Sequence, residues 1–190
     1  SQQGLDLVAR CLLDPGDVAV VEQPGYLGAI QALRASEAHL VGVDVDQDGL
    51  RTDVLEARLA AGLRPKLVYV VPNFQNPTGA VLADERRRPP AALADRYGFV
   101  VVEDDPYGEL CFEGHRATSL RTLTDRVVSL GSSSKVIAPG LRVGWVIAPP
   151  RLGVPLLRLK QATDLHTSML SQRLVAELLA DTAFLDAHLT

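Results

Sequence analysis

Three short runs of mostly β-branched residues constrain the fold of this chain more than any other feature. They are Val68-Tyr69-Val70-Val71, Val100-Val101-Val102 and Val127-Val128-Ser129-Leu130. Short, nearly continuous apolar runs of this kind read as strands buried on both faces, the situation in a parallel sheet covered by helices. Val18 to Val21 and Leu40 to Val45 read the same way, Lys66 and Phe99 open two of the three runs, Arg126 opens the third, and Arg142 to Ala148 adds a further strand. The intervening segments carry helical spacing. Leu5, Val8, Ala9, Leu12 and Leu13 fall on one helical face, which Asp14-Pro15-Gly16-Asp17 terminates. Tyr26 to Ala35, Thr52 to Ala61 and Asp84 to Tyr97 follow as helices, with Thr52 expected as an N-cap and Pro89-Pro90 expected to delay or kink the third. Leu152 to Leu165 and Met169 to Leu189 close the chain as two helices. The fold class is therefore α/β, a mostly parallel sheet flanked by helices.

Composition removes several function classes. The 190 residues carry 19 basic and 23 acidic side chains, a mildly acidic balance that argues against a nucleic-acid surface. Cys11 and Cys111 cannot build a disulfide framework, have no metal-ligand spacing and fit a reduced, cytoplasmic setting. His39, His115, His166 and His188 are scattered. No apolar run approaches the ~18 residues of a membrane span, and neither end has the pattern of a targeting peptide.

Function should lie where the strands end, because open α/β sheets bind ligands outside the carboxyl ends of their strands. The three runs lead into Pro72-Asn73-Phe74-Gln75-Asn76-Pro77-Thr78-Gly79, into Glu103-Asp104-Asp105-Pro106-Tyr107 and into Gly131-Ser132-Ser133-Ser134-Lys135. On the sheet reading, an amide, an acidic cluster, a phenol and a lysine converge on one crevice. Each piece has a commonplace reading too: a turn, a solvated strand end, an exposed lysine, a serine linker. The last segment is not a phosphate loop, since it lacks the glycine before lysine and Val136 replaces the magnesium-binding hydroxyl. Ser132 and Lys135 match S-x-x-K, but the S-D-N and K-T-G partners of that pattern do not occur.

Taken in order, these motifs resemble those of the fold-type I pyridoxal-phosphate aminotransferases of class I/II, nearest the branch of aminoadipate and kynurenine multi-substrate enzymes. The likeness runs through Ser1-Gln2-Gln3-Gly4, Asp14-Pro15-Gly16-Asp17, Glu22-Gln23-Pro24-Gly25-Tyr26, Asn76-Pro77-Thr78-Gly79, Glu103-Asp104-Asp105-Pro106-Tyr107, Ser132-Ser133-Ser134-Lys135 and Gly140-Leu141-Arg142-Val143-Gly144-Trp145. The spacings agree as well, with 28 residues from Asn76 to Asp104, 31 from Asp104 to Lys135 and seven from Lys135 to Arg142.

The resemblance implies roles. Lys135 forms the Schiff base with pyridoxal 5′-phosphate and moves the substrate proton. Asp104 pairs with the ring nitrogen and keeps it protonated. Asn76 and Tyr107 hydrogen-bond the cofactor 3′-oxygen, Tyr107 counting with Lys135 and Asp104 among the catalytic residues. Tyr26 stacks on the ring. Ser1, Gln2, Ser132 and Arg142 bind the phosphate, Arg142 being tucked between Gly140 and Gly144. No role falls to Phe74 or Gln75. The implied reaction transfers an amino group between an amino acid and a 2-oxo acid, in a homodimer when full length, with no nucleic-acid or membrane partner through this segment. Members of the family are longer, so residues 1–190 are expected to be a partial large domain, truncated at both ends and inactive alone. The alternative is the pyridoxal-phosphate-binding effector domain of a winged-helix transcription regulator of the GntR/MocR type; the Asn76-Pro77 and Pro106-Tyr107 forms favour the enzyme. A lyase or decarboxylase on the same constellation is a third possibility.

Overall fold

The computed structural model of the chain describes residues 1–110 and 117–189, so Cys111 and His115 lie outside the described residues. Its element order alternates as the apolar runs require. It begins α1 (Gln2–Leu12), β1 (Val18–Gln23), α2 (Leu27–Ala35), β2 (His39–Asp46), β3 (Gly49–Leu50), α3 (Thr52–Ala60) and β4 (Leu67–Val70). It continues α4 (Asp84–Tyr97), β5 (Val100–Asp104), β6 (Val127–Ser132), α5 (Ser133–Val136), β7 (Gly144–Ile147), α6 (Pro150–Asp164), α7 (Met169–Ala180) and α8 (Thr182–Leu189).

The strands form one sheet in the order β3-β2-β1-β4-β5-β6-β7. The five from β2 to β6 run parallel, while β3 and β7 pair antiparallel at the two edges. The order reverses at β1, whose neighbours β2 and β4 lie on opposite sides, which makes the crevice beyond β1 and β4 the switch point of the sheet. Register then sets which residues reach that edge. Val70 lies beside Glu103, Asp104 beside Leu130, and Ser132 beside Gly144.

Two apolar layers hold the sheet, one on each face. Val21, Leu67, Tyr69, Val102 and Leu130 pack with Leu5, Val8 and Ala9 of α1 and Ala29 and Leu33 of α2. Val20, Val68, Val70 and Val101 pack with Leu55 and Leu59 of α3 and Leu93 and Ala94 of α4. Burying one such side chain contributes roughly 1.5–3 kcal/mol, so the period-two alternation of β4 and β5 decides their register.

The structure corrects four sequence expectations here. Thr52 is the first residue of α3 rather than its cap; Arg51 precedes the helix, and no side chain caps it. α4 runs from Asp84 to Tyr97 through both prolines. Its buried face, Arg87, Pro90, Ala91, Leu93 and Ala94, is anchored by packing that overrides the local proline cost. The last helix is two, divided at Asp181, whose side chain accepts from the Phe184 backbone N–H at 2.9 Å. The turn read at Asp48-Gly49 falls instead at Gln47-Asp48, and Gly49 opens the two-residue strand β3, which folds back on β2.

Candidate active site

Strand alternation selects which acidic residue enters the crevice. Glu103 and Asp104 end β5 and are both buried, but they point to opposite faces. Glu103 turns toward the layer of α4, where it accepts from Ser119 Oγ at 2.6 Å, Ser129 Oγ at 2.7 Å and the Leu120 N–H at 2.8 Å. Asp105 accepts from Asn73 Nδ2 and from the Gly108 N–H, both at 2.9 Å. The expected convergence of a whole acidic cluster is thus reduced to Asp104.

Asp104 is 3% exposed. Its Oδ2 accepts from the Tyr69 hydroxyl at 2.7 Å, whereas its Oδ1 is buried and has no hydrogen-bond partner among the described residues. Burial, with the neighbouring Asp105 charge, pushes this carboxyl above the usual range, and the Tyr69 hydrogen bond and the Ser1 amino group act in the opposite direction. Burial and the neighbouring Asp104 charge likewise push the Tyr69 hydroxyl up, so Tyr69 stays a donor.

Asp104 lines a cavity of about 270 Å³ at the carboxyl edge of the sheet. Ser1, Gln2, Tyr26, Asn76, Tyr107, Ser132, Lys135 and Arg142 line the same cavity, so all nine residues singled out in the sequence are brought together. Tyr69, Val71, Pro106, Ser134 and Pro139 complete the lining.

Each segment reaches the cavity for a local reason. Ser1 caps α1, and the first intrahelical bond is from the Leu5 N–H to the Ser1 carbonyl at 2.8 Å. The N–H groups of Gln2, Gln3 and Gly4 therefore precede the helical ladder, at the positive end of the helix dipole. Gln2 Nε2 donates to the Gly28 carbonyl at 2.9 Å and Gln2 Oε1 accepts from the Tyr26 hydroxyl at 3.3 Å, tying α1 to the start of α2. Ser132 ends β6 and caps the short α5, its Oγ accepting from the Ser134 N–H at 3.1 Å. Lys135 projects from α5, exposed, with Nζ 5.8 Å from the centroid of the Tyr107 ring.

Arg142 departs from expectation. It is neither on a strand nor tucked in, but exposed, with φ 55°, immediately after the 3₁₀ turn Pro139–Leu141. The chain reverses there to enter the antiparallel β7, and Arg142 Nη1 donates to the Pro139 carbonyl at 3.0 Å.

Three functional neighbours escaped sequence reasoning. Tyr69 carried a signal, since a tyrosine inside a buried strand needs a partner for its hydroxyl. Gln75 carried none: it is 1% exposed and donates to Glu22 Oε2 at 3.0 Å and the Pro24 carbonyl at 2.9 Å. Its Oε1 accepts from the Thr78 N–H at 3.0 Å and Thr78 Oγ1 at 2.7 Å, which shapes the turn carrying Asn76. Glu22, at the end of the β1 run, is buried, and burial pushes its carboxyl up to about 8 against the Gln75 and Val71 hydrogen bonds.

The donor set fits pyridoxal phosphate. A protonated ring nitrogen would satisfy the orphaned Asp104 Oδ1, and its positive charge would offset a buried carboxylate. The free N–H groups of α1 with Ser132 and Arg142 suit a phosphate. Among the described residues no group of His, Cys, Asp and Glu could hold a metal ion, and no helix is long and apolar enough to cross a membrane.

Comparison with known proteins agrees. The family model for aminotransferase class I and II matches residues 1–190. The aromatic-amino-acid aminotransferase 1 of Thermococcus litoralis is 40% identical over 195 residues, covering 100% of this chain and 46% of that protein. The 2-aminoadipate transaminase of Thermus thermophilus is 43% identical over 186 residues, covering 95% and 47%. The crystal structure of Pyrococcus horikoshii kynurenine aminotransferase in complex with PMP superposes with TM-score 0.93 at 41% identity, over 99% of this chain and 48% of that one. An HTH-type transcriptional regulator of Bacillus subtilis, YisV, is 32% identical over 191 residues, covering 99% and 39%. The chain spans about half the length of the curated relatives it matches.

Proposed function

This chain belongs to the class I and II aminotransferases, and from that membership we propose that residues 1–190 are the cofactor-holding part of a pyridoxal-phosphate-dependent aminotransferase. The observation that carries the reading is the buried Oδ1 of Asp104, which has no hydrogen-bond partner among the described residues, in a carboxyl that lines a cavity Lys135 also lines. When bound, pyridoxal phosphate supplies an aldehyde that condenses with amines and a ring that takes up the electron pair left at an amino acid's α-carbon.

The residues of this chain supply the rest. Lys135 would bind the aldehyde carbon through Nζ and, once displaced by an amino acid, would act as the base that takes the α-carbon proton and the general acid that returns it. Asp104, oriented by Tyr69, would hold its charge against the ring nitrogen and keep a proton there. Asn76 and Tyr107, which line the same cavity, would donate to the ring oxygen, and Tyr26 would cover the ring face. Ser1, Gln2, Ser132 and Arg142 would bind the phosphate, anchoring the cofactor at the end remote from the chemistry. The substrates are an amino acid and a 2-oxo acid, and the working form is a cytoplasmic homodimer in which residues 1–190 are part of a larger domain.

Borohydride reduction of the full-length protein with pyridoxal phosphate is expected to fix pyridoxyl mass on the peptide containing Lys135, and a label elsewhere overturns the assignment. The similarity to the Bacillus subtilis regulator supports a second reading, a cofactor-binding effector domain. Amino-group transfer to 2-oxoglutarate from any of several amino acids supports the enzyme. Labelled Lys135 without transfer from any donor supports the effector domain.

A further inference from the structure

Asn76 and Tyr107 stand on different loops, one after β4 and one after β5. A buried side-chain chain outside the cavity lining connects those loops. Arg87 of α4 is only 2% exposed. Its Nη2 donates to Asn73 Oδ1 at 2.8 Å and to the Pro72 carbonyl at 3.2 Å, and its Nη1 to the Thr118 carbonyl at 3.1 Å. Asn73 Nδ2 in turn donates to Asp105 Oδ2 at 2.9 Å, and Asp105 Oδ1 accepts the Gly108 N–H at 2.9 Å.

Both atoms of the Asn73 amide are committed, one to each side. Gly108 adds an independent constraint: a Cβ there would run into the Asp105 carboxylate, so the turn after Tyr107 is closed directly on that group. Asn73 is three residues before Asn76, and Asp105 two before Tyr107. The arginine is held where desolvation is costly, and its cost is met only if the arrangement is well formed. Arg87 Nε has no hydrogen-bond partner among the described residues and lies 3.7 Å from Asp84 Oδ1, so the arginine is held through its two Nη groups, and a rigid polar network of this kind holds neighbouring groups to a narrow geometry.

We propose that Arg87, Asn73 and Asp105 are positioning residues that fix the separation of Asn76 and Tyr107, so that both donate to the same oxygen of the cofactor ring. The inference rests on the reading of Asn76 and Tyr107 given above. Donors to that oxygen share its negative charge and loosen the proton it holds jointly with the lysine nitrogen. Losing a donor, or misplacing it, therefore raises the pH at which that proton leaves.

The test uses the full-length protein loaded with pyridoxal phosphate. It follows the pH titration of the lysine-bound cofactor's absorbance, with borohydride labelling of Lys135 in parallel. Asn76→Ala is expected to raise the midpoint by about one pH unit, the size of one hydrogen bond to a charged group. Asn73→Ala is expected to raise it in the same direction, and to add little in the Asn76→Ala background, because both act through one contact. Asp105→Asn, which keeps size and loses one acceptor, gives a smaller rise and serves if Asn73→Ala fails to fold. A normal titration for Asn73→Ala and Asp105→Asn, with Asn76→Ala shifted, overturns the relay and leaves the site reading intact. Shifts that add fully in the double variant also overturn it, since they mark a general loss of structure. If Asn76→Ala and Tyr107→Phe leave the midpoint unmoved while Lys135 is labelled, the assignment of those two donors falls and the relay with it.

Discussion

The hydroxyl of Tyr69 donates to Asp104 Oδ2 at 2.7 Å, leaving Oδ1 as a buried oxygen without a partner among the described residues. Both residues lie on the α1 face of the sheet at the ends of adjacent strands, so the bond orients the carboxyl before any ligand arrives. Removing the tyrosine hydroxyl should leave a second carboxylate oxygen bare. Tyr69→Phe is expected to weaken pyridoxal phosphate binding about tenfold and to lower the stability of the cofactor-free protein by about 1–3 kcal/mol. Titration of the cofactor and urea unfolding check the two effects.

Asp104→Asn separates function from stability. Burial raises the Asp104 carboxyl, so its ionised form is disfavoured in the fold, and that contribution to stability declines as pH rises through the folded value. A neutral amide of the same size removes this loss. The variant is expected to be at least as stable as the parent at neutral pH without cofactor, while turnover falls by orders of magnitude. Cofactor-free unfolding and amino-transfer assays on the full-length protein check this, and a large loss of stability would contradict it.

Glu22 should make stability depend on pH. Its folded value of about 8 lies above the ordinary 4.5, so the folded state holds a proton that the unfolded state releases. The contribution is fully present below about 4.5, falls as pH rises and is lost beyond about 8. Glu22→Gln keeps the acceptor for Gln75 and removes the titration. Its stability advantage over the parent should grow from pH 5 to pH 8 in urea unfolding.

Gly144 is where α1 meets the corner between β6 and β7. A Cβ there would lie 2.6 Å from the Ser1 backbone nitrogen and 2.9 Å from the Gly131 carbonyl oxygen, both backbone atoms that cannot rotate away. Gly144→Ala is expected to push the start of α1 off the sheet, costing about 1–3 kcal/mol and weakening phosphate-anchored cofactor binding severalfold. Equilibrium dialysis with pyridoxal phosphate and thermal unfolding read the two effects.

Much of this was legible in the residue order. The runs around Val68, Val100 and Val127 are continuous because parallel strands covered on both faces need no polar side, and their carboxyl ends carry the polar segments that line the cavity. Motif order placed Asn76, Asp104 and Lys135 together without coordinates. Local signals did less well for Pro89-Pro90, where a helix persists because its buried face is held by its neighbours.

What the sequence by itself determined was the alternation of helix and strand, the class of sheet and the polar segments at its carboxyl edge, because these follow from local periodicity and chain order; the individual residues Ser1, Gln2, Tyr26 and Arg142 came from the family resemblance. Tertiary structure alone decided the rest. That Glu103 and Asp105 turn away from the cavity that Asp104 lines is set by strand phase and by their own hydrogen-bond partners. Arg142 is exposed because β7 runs antiparallel and the chain must turn before it. The partners of Gln75 and Arg87 come from segments distant in sequence. Those outcomes rest on contacts between residues far apart along the chain, and no local pattern encodes them.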